Sequence, residues 1–406
     1  MELTLRRVEP EELSQWRALM ARTFQGDPSE DADEPWRKHF DWGRSMGVFD
    51  GEQIVGTGGA FTLHFQVPGG EVATGGLTVI AVSPTHRRQG VLTSMIRHHF
   101  DDLEAHGEPM SALWASESSI YGRFGYGQAT QAMDLKMQTA KIEFTDPVTP
   151  AGSIRHIDLD QVRKMIPPLF TQSVNRPGMF DRDTDFWELE IFRDPEAYRG
   201  GRTANRWAVY ERDGGAQGYL RYRQKANWTD DGFGDGEAYV GELIALDQDA
   251  YRALWHFVLN LDLTVTVKAS IRPIDEPLRW MIADPRRMVT NSYEALWIRL
   301  LDVPACLETR RYPEAGRLVL GVTDDFLPDR AGSFELSGGP QEARCVPTDA
   351  EPDVTLDTTD LARLYLGDGQ VTSLAYAGRL RGSDDSLRLL DAMFRWHQPP
   401  WCNVIF

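Results

Sequence analysis

The stretch Leu77–Val82, LTVIAV, runs directly into Ser83-Pro84-Thr85-His86-Arg87-Arg88-Gln89-Gly90-Val91. Its short, β-branched and apolar residues read as a buried strand. Ser83-Pro84 stops that strand. Beyond Gly90, the residues Leu92, Met95, Ile96, His99, Phe100 and Leu103 share one helical face, and Gly107 closes the helix. A strand therefore enters a tight loop that opens a helix. The tip of such a helix presents unpaired amides and roughly half a positive charge, which suits a pyrophosphate. Gly90 lets backbone approach the oxygens without an intervening Cβ. Arg87 and Arg88 add charge-assisted donors. The other reading is a plain strand–helix turn carrying a surface basic pair. Neither G-x-G-x-x-G nor G-x-x-x-x-G-K-[ST] occurs here, which weakens the dinucleotide-fold and P-loop alternatives.

Working outward, residues 2–7 read as a short strand, Glu11–Phe24 as a helix and 27–35 (DPSEDADEP) as an acidic loop. A hairpin follows, with strands at Ser45–Asp50 and Gln53–Phe65 joined at Asp50-Gly51. After the central helix come a buried strand at Met110–Ala115, a short helix at Ser119–Phe124 and a closing strand at Gly127–Met137. This order predicts a mixed sheet with helices on its faces, an α/β (α+β) first domain over 1–150. Residues 138–152, with Pro147 and Pro150, read as a linker. A second domain, 151–295, repeats the order, with strands at Trp207–Tyr210, Gly218–Tyr222 and Ala238–Leu246, a helix at Ala250–Leu259 and a strand at Leu263–Lys268. Its loop after Leu246 is Asp-Gln-Asp, without glycine or arginine, so it reads as a degenerate copy that has lost the phosphate site. A third, small α+β domain occupies 296–406, with helices at Asp360–Leu366 and Ser383–Phe394.

The composition bounds the function. A chain of 406 residues predicts two to four domains, and 41% hydrophobic with 26% charged residues indicates a soluble globular class. The net charge of −18 argues against nucleic acid as partner. It fits a cationic substrate, although an acidic surface also serves solubility alone. The first residues, MELTLRRVEP, do not read as a signal peptide, and no run of 18 apolar residues predicts a membrane span. Cys306, Cys345 and Cys402 form no metal-ligand spacing and suggest a reducing compartment, hence the cytoplasm. No metal is expected.

Two strings carry a family resemblance: Ala81–Gly90 (AVSPTHRRQG) and Ala115–Gly127 (ASESSIYGRFGYG). The R-x-x-G after a β-branched strand resembles the acetyl-CoA loop of GNAT acetyltransferases. The fuller strings resemble the Eis (enhanced intracellular survival) family more specifically. Leu296–Val303 (LWIRLLDV), Leu364–Gly367 (LYLG) and a terminal phenylalanine extend that resemblance over the whole chain. It implies tandem GNAT-like domains followed by a sterol-carrier-protein-like domain, assembled as a homo-hexamer. It implies acetyl-CoA as co-substrate, held by Ile80, Ala81 and Val82 along the pantetheine arm, by Arg88, Gln89, Gly90, Val91, Leu92 and Thr93 at the pyrophosphate, and by Ser116 and Glu117. Leu92 stands where GNAT proteins usually carry a small residue, a departure that the Eis family tolerates.

The resemblance also implies the catalytic groups. Tyr121 corresponds to the family's general acid. Its reference pKa of about 10 leaves it protonated at pH 7. Tyr126 is the rival, at a position that usually packs. The base corresponds to the α-carboxylate of Phe406, with a reference pKa of about 3.3–3.7. Pro399-Pro400-Trp401 stiffens the approach to this apolar end. Phe24, Asp27 and Trp36 lie near where the family's acceptor cleft begins, Asp27 for an ammonium and Trp36 for a stacked cation. Trp114 reads as core or as cleft wall. The expected activity is acetyl transfer to a primary amine: an aminoglycoside, a polyamine or a protein lysine. Ile405 replaces the acidic residue that the family often carries there, which weighs against aminoglycosides. The competing reading is a non-catalytic acyl-CoA or lipid-binding sensor or carrier, which requires neither Tyr121 nor the Phe406 terminus.

Overall fold

The structure, a computed structural model, describes residues 3–406; residue 2 of the expected first strand lies outside them. The chain divides into two compact units, Met1–Thr130 with Arg176–Phe180 and Ala295–Phe406, and Gln131–Asn175 with Asp181–Glu294.

The first unit opens with β1 (Thr4–Arg6) and α1 (Leu13–Thr23). The expected acidic loop is instead largely α2 (Glu30–His39), whose Trp36 buries against Trp16 and Phe40. Burial of one aromatic face outweighs the local charge of this segment. Then come β2 (Ser45–Asp50), β3 (Gln53–Val67) and β4 (Gly70–Val82). LTVIAV is thus the end of a thirteen-residue strand, not a strand by itself. The turn after Ser83 leads to α3 (Val91–His106), which buries Val91, Met95, Ile96, His99, Phe100 and Leu103 as its periodicity requires. Gly107, left-handed at φ +68, ends it. β5 (Met110–Trp114), α4 (Ser118–Tyr121) and β6 (Gly127–Gln128) follow.

The strand expected at Gly127–Met137 is two strands in different sheets. β7 (Gln131–Gln138) belongs to the second unit's sheet, with β8 (Ser153–Ile157), β9 (Arg206–Arg212), β10 (Gly215–Lys225), β11 (Gly236–Ala245), β12 (Thr264–Arg272) and β13 (Met288–Glu294). Their order is β13-β7-β12-β11-β10-β9-β8. α5 (Leu159–Thr171), the short α6 (Thr184–Phe186) and α7 (Gln248–Leu259) complete this unit. α7 packs Ala253, Leu254, Trp255 and Val258 on one sheet face.

β14 (Leu296–Leu300) then returns to the first sheet, whose order is β1-β2-β3-β4-β5-β14-β6. It pairs antiparallel with β5, from Leu296 opposite Trp114 to Leu300 opposite Met110. The remainder, β15 (Gly316–Thr323), β16 (Gly332–Gly338), β17 (Ala343–Pro347), β18 (Val354–Asp357) and β19 (Arg381–Gly382), forms a five-stranded sheet ordered β17-β16-β15-β18-β19. α8 (Val303–Thr309), α9 (Thr358–Tyr365), α10 (Val371–Tyr376) and α11 (Asp384–Phe394) accompany it. The buried Arg310 ties this part together by donating to the carbonyls of Tyr365, at 2.6 Å, and Phe394, at 2.9 Å. Among the described residues, no helix is long and apolar enough to cross a membrane.

Candidate active site

The site begins where two parallel strands part. β4 pairs with β5 only at Thr74–Met110, Gly75–Ser111 and Gly76–Ala112. Beyond Gly76 the two strands diverge, and Ile80, Ala81 and Val82 line the opening between them. Thr57 and Gly59 on β3 mark a register shift against β4. At the same place Val79 takes a left-handed φ of +49, and the Thr57 hydroxyl donates to its carbonyl at 2.8 Å. This bulge bends β4 away from β5.

The opening widens into a cleft of about 1000 Å³ at the tip of α3. Arg88 at φ +61 and Gly90 at φ +81 turn the backbone so that α3 starts facing it. No side chain caps this helix, and a Cβ on Gly90 would meet nothing within 4 Å. The first-turn amides therefore face open space, as an anion requires. Of the residues expected to hold the cofactor, Ile80, Ala81, Val82, Arg88, Gly90, Val91, Leu92, Thr93, Ser116 and Glu117 line this one cleft. Gln89 is not among the lining residues; its amide turns back to the Thr85 carbonyl at 3.3 Å. Arg87 lines the cleft beside Arg88, and Arg123, to which the sequence reading assigned no role, adds a third cation. Its position two residues after Tyr121 in the YGRFGYG string was the available signal.

Tyr121 lines the cleft from the last turn of α4, and burial pushes its hydroxyl up to about 12. Tyr126 differs. It is fully buried, and its hydroxyl bonds Ser111 Oγ at 2.7 Å, which in turn contacts His99 Nε2 at 2.8 Å. Tyr126 is thus a satisfied core residue.

Phe406 is not in the cleft lining, but its ring is buried against Phe61, Phe65 and Phe180. A Cβ on Gly76 would lie 3.1 Å from that ring, so the chain end packs where β4 and β5 separate. Residues 176–180 hold it there. The Gln66 amide donates to the Met179 carbonyl at 2.7 Å, and the Trp401 amide to the Pro177 carbonyl at 2.8 Å. This latch had no local signal, because it lies between two stretches of the other unit in sequence.

The expected acceptor residues separate. Phe24 is exposed at 51% and lines the cleft. Asp27 is exposed but does not line the cleft. Trp36 is buried at 2%, and the cation over its ring is Arg17, 4.8 Å from the centroid. It is therefore core and is not presented to a ligand in the cleft. Trp114, half-buried on β5, also stays out of the lining.

The second unit repeats the strand–loop–helix without this opening. At the tip of α7 the Asp247 carboxylate accepts from the Ala250 amide at 2.9 Å. That helix tip already carries its own anion. Where β11 passes the end of its pairing with β12, Arg272 donates to the Leu243 carbonyl at 3.2 Å. Glu242 sits fully enclosed between Arg182, at 2.7 Å, and the Tyr219 hydroxyl, at 2.7 Å.

Comparison with known proteins identifies the domains. Residues 4–129 and 178–300 each match an acetyltransferase (GNAT) domain family, and 303–403 match a sterol carrier protein domain. An uncharacterized N-acetyltransferase of Streptomyces avermitilis is 37% identical over 94% of both chains. The N-acetyltransferase Eis of Mycobacterium tuberculosis is 35% identical over 86% of this chain and 85% of its own. The chain belongs to the Eis-like family of GNAT N-acetyltransferases. It carries two tandem GNAT domains and a sterol-carrier-like C-terminal domain, on mixed α/β sheets. The crystal structure of Eis1 from Mycobacterium abscessus superimposes with a TM-score of 0.85 at 28% identity, covering 99% of this chain and all of that one. A GCN5-related N-acetyltransferase from Anabaena variabilis, at 19% identity and a TM-score of 0.86, shares the fold. An Eis-like chain is an acyltransferase, and its GNAT fold implies acetyl-CoA as co-substrate.

Proposed function

We propose that the chain transfers acetyl from acetyl-CoA to a primary amine of a cationic acceptor, with Tyr121 as general acid and the α-carboxylate of Phe406 as base. The acceptor class comprises polyamines, protein lysines and aminoglycosides, and the proposed assembly is a homo-hexamer. The observation that carries the reading is one opening that combines a free strand edge at Ile80–Val82, an uncapped helix tip at Gly90 and a buried tyrosine. The Phe406 ring packs at the point where that opening starts.

An attacking amine must be neutral, so a group beside the thioester has to take its proton. A carboxylate is ionised at pH 7 and can do so. Tyr121 answers the charge that develops on the other side of the reaction. Burial holds its proton, since the charged phenolate is what an apolar wall disfavours. Full transfer from a phenol near 12 to an ordinary thiolate near 8.5 is uphill by about 5 kcal/mol. Tyr121 therefore acts first as a hydrogen-bond donor to developing negative charge, and completes the transfer as the leaving thiolate loses its own solvation.

The experiment is a thiol-release assay with acetyl-CoA and a panel of one polyamine, one lysine peptide and one aminoglycoside. It uses the intact chain and a variant with one glycine appended after Phe406. The expected result is release with at least one amine and a loss of about 100-fold or more in the variant, with acetyl-CoA binding retained by calorimetry. Undiminished turnover in the variant overturns the role of the carboxylate. Cofactor binding without release for any amine favours the carrier reading.

A further inference from the structure

The second unit has a basic concavity that the acetyl-transfer reading does not use. α7 covers one face of its sheet, and the opposite face holds a depression of about 560 Å³. In register across neighbouring strands stand Val289, Lys136, Lys268, Tyr239 and Arg223. Lys136 and Lys268 are direct cross-strand partners, a like-charged placement that is destabilising by itself. Beside them Arg202 stacks 3.7 Å from the Tyr239 ring centroid, and Arg221 lies over Gly241, whose missing side chain leaves the depression open.

The charges here are not balanced locally. Lys268 is 2.7 Å from Glu237, and Arg223 is 2.7 Å from Asp194. Lys136, Arg202 and Arg221 make no ion pair among the described residues, and the Nε atoms of Arg202 and Arg221 are buried without a hydrogen-bond acceptor. Glu242 is itself held by Arg182 and Tyr219. Asp134, the acidic residue of the lining, accepts from the Tyr293 hydroxyl at 3.1 Å. Buried donors without acceptors are rare in folded proteins, and an anion or a water can supply the acceptor here. Three guanidiniums and two ammoniums lining one depression match the oxygens of phosphates and carboxylates. All of this occurs in a chain of net charge −18, where a concentrated cationic face is against the trend.

We propose that this face is a binding site for a small oxyanion carrying two or more charges, an organic phosphate or a polycarboxylate. It is separate from the acetyl-CoA cleft of the first unit.

The test is calorimetry on the full chain with inorganic pyrophosphate and with citrate. The proteins compared are the unaltered chain, Lys136→Gln, Arg202→Gln, and Arg88→Ala, which removes a cation from the other cleft. The expected result is binding that survives in Arg88→Ala and weakens at least tenfold in Lys136→Gln and Arg202→Gln. Preference for pyrophosphate assigns a phosphate ligand, and preference for citrate a carboxylate ligand; either supports the site. Lys136 is exposed, so Lys136→Gln preserves folding and decides the matter should Arg202→Gln not fold. Unchanged affinity in Lys136→Gln, or no binding of either probe to the folded chain, overturns the proposal.

Discussion

Two tyrosines five residues apart differ in what surrounds their hydroxyls. Tyr126 has Ser111 and His99 behind it, whereas Tyr121 lines the cleft and its hydroxyl makes no hydrogen bond among the described residues. Tyr121→Phe removes only that hydroxyl. It is expected to lower kcat by about 10²–10⁴-fold while leaving acetyl-CoA affinity intact. Equal turnover in Y121F would remove Tyr121 from the chemistry. Because burial raises its pKa to about 12, its own ionisation cannot depress kcat below about pH 10. His99 makes a second prediction. It is fully buried, and burial lowers its pKa to about 3. The folded chain keeps it neutral, while the unfolded chain protonates it near 6.5. Its contribution is present above that value and is lost as pH falls from about 6.5 towards 3, by about 1.4 kcal/mol per pH unit. His99→Gln, which can still bond Ser111, is expected to flatten this slope in denaturant titrations between pH 7 and pH 5. An unchanged slope sinks the assignment.

The tips of α3 and α7 form a natural comparison between elements. Both follow a strand of a twisted sheet, but Gly90 leaves α3 uncapped while Asp247 caps α7 with a carboxylate. The difference predicts the effect of Gly90→Asp. Aspartate tolerates the left-handed conformation at modest cost, so α3 is expected to persist. If this tip holds the pyrophosphate as proposed, the new charge would repel it, and acetyl-CoA should bind at least tenfold more weakly. Unaltered affinity by calorimetry would show that the helix tip does not hold the cofactor. The loop and both flanking elements were legible in the sequence, because their signals are local: a β-branched run, a proline stop and a helical repeat ending in glycine. The acceptor side was not legible. Trp36 has the composition of a stacking platform, yet it packs on Trp16 and Phe40, and Arg17 already covers its ring.

Across the molecule, strand membership does not follow chain order. β14 sits between β5 and β6, although the whole second unit separates it from them in sequence. Arg299 on this strand is fully buried and bonds Asp324 and the Thr358 hydroxyl. Trp297 and Leu301 join the core beneath α3. Residues 1–150 read as a self-contained domain from sequence, but that fragment lacks these groups and leaves β5 with an open edge. It is expected to show no cooperative thermal transition and to bind a hydrophobic dye. A soluble fragment that melts cooperatively would refute this.

What the sequence determined by itself was the local structure of one segment and its family: the strand, the loop and the helix lie within about fifty residues, with the tyrosine and the basic pair among them, and short-range periodicity and turn residues specify those elements. Tertiary structure decided which strands share a sheet, what holds Phe406 at the opening, and which aromatic residues are core. The first two outcomes depend on pairings between residues more than a hundred positions apart, and no local pattern encodes a partner that distant; Trp36 is core through neighbours within twenty positions, but only their packing decides that its ring faces inward.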